Sequence, residues 1–126
     1  MRHLVSAMLV VVAIIHLLPL PGLLGTERLT ALYGIAIDEP DLAILMRHRA
    51  VLFGLLGLLL LTAAFRPELQ GIAFAGGFAS VISFLYLALS TGNYNPQVGR
   101  IVTGDVIALV CLVVGVVARC YVQRDG

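Results

Sequence analysis

The chain has 126 residues, 60% of them hydrophobic and 12% charged, with a mean hydropathy of +1.05. A soluble domain is about half apolar and a quarter charged, so this composition excludes one and points to an all-α integral membrane protein. All eight basic residues are arginines, and the formal charge of +1 gives no field that would recruit nucleic acid.

The pattern predicts one transmembrane domain over residues 1–126: a four-helix bundle with spans at about 4–24, 41–65, 68–89 and 97–119. A short interfacial helix is expected between the first two spans. The first apolar run, Leu4 to Leu18, ends at Pro19, Pro21 and Gly22, which break a regular helix. Arg2 and His3 precede it as in a secretory signal. The small-residue cleavage pattern is missing and further spans follow, which favours a retained span. Thr26 is placed to cap a short helix through Tyr33, with Gly34 as its stop, and Leu29, Leu32 and Tyr33 fall opposite Glu27 and Arg28.

Asp38-Glu39-Pro40 supplies acidic caps and a proline at the first helical position of the second span. Its uninterrupted apolar run, Ala50 to Phe65, is only sixteen residues, whereas about 20 are needed to cross the hydrocarbon core. The span therefore takes Arg47, His48 and Arg49 below the membrane surface. Arg66-Pro67-Glu68 is short enough to force an antiparallel return. In the third span Ala73, Gly76, Ser80 and Ser83 form a small-residue stripe expected to face other helices. Asn95-Pro96 repeats the pattern of a capping residue before proline and opens the fourth span, where Gly104, Ala108, Cys111 and Gly115 form another stripe. Cys111 and Cys120 lie on this one helix about half a turn out of phase, so they cannot bridge to each other and read as apolar filler.

Arg49 and Asp105 each stand nine positions after the proline that opens their helix, Pro40 and Pro96, a spacing compatible with a duplicated two-helix unit or with coincidence. Four spans leave both termini on one side. Arg2, Arg66, Arg119 and Arg124 belong to that side, Arg28, Arg47, Arg49 and Arg100 to the other. With Arg47 and Arg49 inside the membrane the balance favours cytoplasmic termini in a bacterial inner membrane.

The polar residues of the spans converge on the non-terminal, periplasmic end. His16, Arg47, His48, Asp105 and Tyr86 are the candidates for a ligand site or a buried polar network. Arg47 is in phase with Ala50, Gly54 and Gly57, so it is expected to point inward and pair with Asp105. Arg49 is in phase with Phe53, Leu56 and Leu60 and is expected to snorkel to headgroups, as is Arg28. His48 and His16 could close a network around the pair. Two readings stay open: a pocket that meets a lipid headgroup or quinone, or an Arg47–Asp105 lock that only fixes helix register. For His16 the alternative is an ordinary hydrogen-bonded core histidine, and for Tyr86 and Tyr94 a place in the interfacial aromatic belt. Asp38, Glu39 and Asp41 lack the spacing of a calcium loop, and no zinc, haem-attachment, Walker or Rossmann motif is present.

Ile15-His16-Leu-Leu-Pro19-Leu-Pro21-Gly22, Ala31-Leu-Tyr33-Gly34 and Leu45-Met-Arg47-His48-Arg49-Ala-Val-Leu-Phe-Gly54 resemble a group of small bacterial membrane proteins with four spans and unassigned activity. In length and span count the chain is also similar, more distantly, to DoxX-like proteins. That resemblance implies quinone as a candidate ligand, because some of those proteins serve membrane redox systems. Relatives of the closer group sometimes carry the name phosphopantetheine adenylyltransferase, a soluble α/β enzyme with a histidine-containing nucleotide motif. Here no such motif and no lysine exist, and four apolar helices leave no room for its sheet. The expected function is therefore a small membrane binding or accessory protein, with lipids and further copies or a partner membrane subunit around it. The alternatives are a quinone-linked oxidoreductase subunit, with His16 and His48 relaying protons, and a small-solute transporter subunit.

Overall fold

The computed structural model describes residues 2–18, 26–35 and 39–125, without the side chains of Thr26, Arg28, Leu29 and 123–125. The expected roles of Asp38 as a cap, Arg28 as a headgroup contact, Arg124 as a terminal-side charge and Pro19, Pro21 and Gly22 as a helix break lie outside these described residues.

The described chain is helical: α1 Arg2–Leu17, α2 Thr26–Tyr33, α3 Pro40–Phe65, α4 Gln70–Thr91 and α5 Pro96–Asp125, with a 3-10 turn Pro67–Leu69 between α3 and α4. Stretches Pro40–Phe65, Pro67–Thr91 and Pro96–Val122 are each long and apolar enough to cross a membrane. Their outer surfaces carry Leu52, Leu55, Leu58, Ile72, Ile82, Val106 and Val110 exposed, an apolar exterior suited to lipid and larger than a soluble monomer shows to water. α1 is apolar but only sixteen residues long.

Composition and punctuation explain the ends. Pro40 occupies the first turn of α3, where its missing N–H costs nothing. Glu39 stands at the N-cap without a side-chain cap bond, so the expected acidic capping is not made there. Gly34 closes α2 at φ 69°, a left-handed conformation that favours glycine, and its N–H returns to the Thr30 carbonyl at 2.8 Å. At the start of α5 Asn95 accepts from the Val98 N–H at 2.8 Å, while its amide donates to the carbonyls of Tyr33 at 2.8 Å and Gly34 at 3.2 Å. One side chain thus caps α5 and receives the last carbonyls of α2.

α1 packs mainly against α3 and α5, and α4 closes the bundle against both of those helices. Val5, Leu9, Val12 and Ala13 of α1 are buried with Leu60, Ala63 and Ala64 of α3, Phe74 and Val81 of α4, and Ala108 and Leu112 of α5. Gly57 brings α1 and α3 together: a Cβ there would fall 2.8 Å from Leu17. The α4 stripe lies rotated from its expected place. Ala73 is buried, but Gly77, Val81 and Leu85 continue the inward face, while Ser83 is exposed. The inward line of α4 is set by volume as well as smallness, since Leu112 fills the notch left by Gly77, 3.0 Å from where a Cβ would be.

Candidate functional site

Arg49 lies nine residues into α3, about 14 Å along the axis, in the part of the span where an arginine is costly unless it finds partners. Its Nε donates to the Tyr33 hydroxyl at 3.2 Å. Its guanidinium carbon stands 4.5 Å from the ring centre of Phe53, 5.5 Å from Phe84 and 5.8 Å from Tyr33. Three aromatic faces drawn from α2, α3 and α4 thus surround one cation and replace part of the hydration it has lost.

Arg49 also lines a cavity of about 230 Å³ between α1, α2, α3 and α5. Its walls are apolar at Ile15, Leu18, Leu32, Phe53 and Ile101, and polar at His16, Tyr33, Gln97, Arg100 and Asp105. Gly104 adds space beside Asp105, because nothing lies within 4 Å of where its Cβ would be. Asp105 is only 7% exposed. Among the described residues it makes no hydrogen bond and no ion pair: Arg49 acts on it through space, but the one ion pair is Arg66–Glu68 at 3.5 Å on the surface. No fully enclosed side-chain polar atom is left unsatisfied among those residues, so the remaining exposure of the carboxyl is toward the cavity it lines. A buried carboxyl of this kind needs a proton or a donor from whatever fills that space.

His16 is a fixed part of the wall. Its Nδ1 faces the Val12 carbonyl at 3.0 Å and its Nε2 the Ser80 hydroxyl at 3.1 Å. A carbonyl only accepts, so Nδ1 carries the proton, and in the neutral ring Nε2 accepts from Ser80. The ring also lies tilted against Phe53, centroids 5.6 Å apart. His16 therefore ties α1 to α4.

The expected roles of the two arginines are reversed. Arg47 is on the exposed side of α3, whereas Arg49 is half-buried and turned toward Asp105. Ala50, Gly54 and Gly57 are buried as expected, but so is Leu60, at 0% exposure. Leu60 is in phase with Arg49, so the buried face of α3 is wider than its small-residue stripe and reaches the side on which Arg49 stands. His48 is exposed and lines a second groove, between α3 and α4, with Ser80, Ser83 and Phe84; Arg49 and Phe53 stand between this groove and the Asp105 cavity and line both. Among the described residues no hydrogen bond joins His48 to His16. Tyr86, 71% exposed, stands outside both spaces. Of the expected set, His16, Asp105 and, in place of Arg47, Arg49 are brought together.

Sequence reasoning did not find Tyr33, Gln97 or Arg100 as site residues. Two steps of four back from Asp105 pass through Ile101 to Gln97, a helical spacing that could have found Gln97. Tyr33 carried no such signal, because its place depends on how Asn95 docks α2. Among the described residues no group of three or more His, Cys, Asp or Glu could hold a metal ion. No family model, curated protein or solved structure matches the chain.

Proposed function

We propose that the chain is a small multi-pass protein of the bacterial inner membrane that binds a lipidic ligand by its headgroup in the α1–α2–α3–α5 cavity, as a binding or accessory protein. In this reading α1, with the residues after it, supplies a fourth span, and α2 lies at the membrane surface as the lid of the cavity. The termini are cytoplasmic and the cavity faces the periplasmic leaflet. Further copies or a partner subunit cover part of the apolar exterior.

The observation that carries the reading is Asp105, buried and without a hydrogen bond or ion pair among the described residues, beside a cavity that also holds Arg49. Donors from Arg49, Arg100 and Gln97 suit a carbonyl oxygen, and the Asp105 carboxyl suits a hydroxyl donor or repels a phosphate. A ring with a carbonyl and a hydroxyl, as in the quinone–quinol class, matches this mixed set better than a phospholipid phosphate does. Size argues the same way. Pockets that enclose a whole small molecule occupy about 300 to 1,000 Å³, so 230 Å³ takes a headgroup and leaves an isoprenoid tail among the helices or in lipid. The test is extraction of the protein purified in mild detergent, followed by mass spectrometry for quinones, alongside Arg49→Gln and Asp105→Asn. Co-purifying quinone that falls at least tenfold in both variants supports the reading. Quinone absent from the wild type after supplementation, or retained equally by the variants, overturns it.

A further inference from the structure

At the opposite end of the bundle a second cavity, about 470 Å³, opens between the first turn of α1, the end of α3, the start of α4 and the end of α5. Arg2, His3 and Arg119 line it. Two further polar residues there, Ser6 and Gln70, are already engaged: the Ser6 hydroxyl donates to the Ala64 carbonyl at 2.5 Å and the Gln70 amide to the Ala63 carbonyl at 3.1 Å. They hold the last carbonyls of α3, which a helix end must otherwise leave to water. Arg2, His3 and Arg119 make no ion pair or hydrogen bond among the described residues, and the nearby acid, Glu68, is paired with Arg66. No described acid lines this space, in contrast to the Asp105 cavity. The N-terminal end of α1, with no acidic residue in its first turn, adds its own positive field.

Two arginines and a histidine N–H donor at a mostly apolar space, with Ser6 and Gln70 already engaged, suit a group that is anionic, small and chain-bearing. Phe65, 73% exposed, stands at the rim, where the α3 span ends and an acyl chain would meet lipid. We propose that this cavity binds the phosphate of an anionic membrane lipid, independently of the ligand in the central cavity.

Native mass spectrometry of the full chain in detergent, with dioleoyl phosphatidylglycerol and dioleoyl phosphatidylcholine added in equal amounts, tests this. Phosphatidylglycerol is expected to be retained in preference. Each arginine near a membrane surface contributes about a fivefold factor in anionic-lipid affinity, so Arg2→Gln combined with Arg119→Gln lowers retention about thirtyfold. Arg2→Lys with Arg119→Lys keeps most of it, and Arg49→Gln leaves it unchanged, which separates this site from the central one. Arg119→Gln alone gives the intermediate loss if the double variant does not fold. Equal retention of the two lipids, no loss in the glutamine variants, or loss in Arg49→Gln overturns the proposal. Displacement of phosphatidylglycerol by inorganic phosphate also overturns it, by assigning the site to a soluble anion.

Discussion

An arginine near the edge of the hydrocarbon can keep its charge by reaching up to the headgroups or by finding partners at depth. Arg49 takes the second course, among Tyr33, Phe53 and Phe84, while Arg47, two residues earlier on the same helix, stands on its exposed side. Small residues mark the buried stripe of α3 at Ala50, Gly54 and Gly57, the last of them in close approach to α1, and the sequence shows them plainly. They do not mark the full width of the buried face, which depends on Leu60 finding room in the interior. That width decides which arginine turns inward, and no pattern on α3 alone contains it. The cost of removing each follows. Arg49→Gln loses the bond to the Tyr33 hydroxyl and the aromatic faces of Phe53 and Phe84, about 1 kcal/mol for the first and about 1 to 2 for the second. It should therefore lower stability by about 2 to 3 kcal/mol, more than Arg47→Gln does on the exposed side. Equilibrium unfolding in mixed micelles followed by circular dichroism measures both, since the chain has no tryptophan to report by fluorescence. A larger loss at Arg47 would restore the roles that the sequence suggests.

At the level of elements, Asn95 does the most with the fewest atoms. Its place before Pro96 was legible, because an amide before proline is a recognisable start for a helix. Its second function was not. The two donations from Nδ2 to the carbonyls of Tyr33 and Gly34 join residues 61 and 62 positions apart in the chain, and they dock α2 over the central cavity. Because Tyr33 in turn receives Arg49, the position of the cage cation depends on this loop. The two roles separate by substitution. Asn95→Asp keeps an acceptor for the Val98 N–H but gives up both donations, a loss of about 1 kcal/mol. Asn95→Ala gives up the cap as well and should lose about 2 kcal/mol or more. If Asn95→Asp is neutral in the same unfolding assay, while Arg49 and the cavity behave as in the wild type, α2 is held by other contacts.

For the whole molecule, the matched positions of Arg49 and Asp105, each nine residues after a proline, are the sequence feature that the structure most directly uses: both residues line one cavity. Equal depth on two helices that start at the same end was enough to bring them level, whatever the origin of the repeat. The helices themselves were legible from hydropathy and from Pro40, Pro67 and Pro96. The charge balance behind the proposed orientation, however, changes with the positions of the two arginines. Arg49 is half-buried in the bundle, but Arg47 is on the exposed side of α3, about 10 Å from its start. It now counts with Arg28 and Arg100 against Arg2, Arg66, Arg119 and Arg124, so the margin is four to three. In the proposed four-span topology a margin of one still favours cytoplasmic termini, but it makes that topology sensitive. In a background with Cys111 and Cys120 replaced by serine, Asn93→Cys should react with a membrane-impermeant maleimide in intact spheroplasts, and Glu68→Cys only after permeabilisation. Adding Arg66→Gln and Arg119→Gln reverses the balance to two against three, and a substantial fraction of the protein should then show the opposite labelling. Protection of Asn93→Cys in the starting background would mean that the termini face outward, and would move the central cavity to the cytoplasmic leaflet.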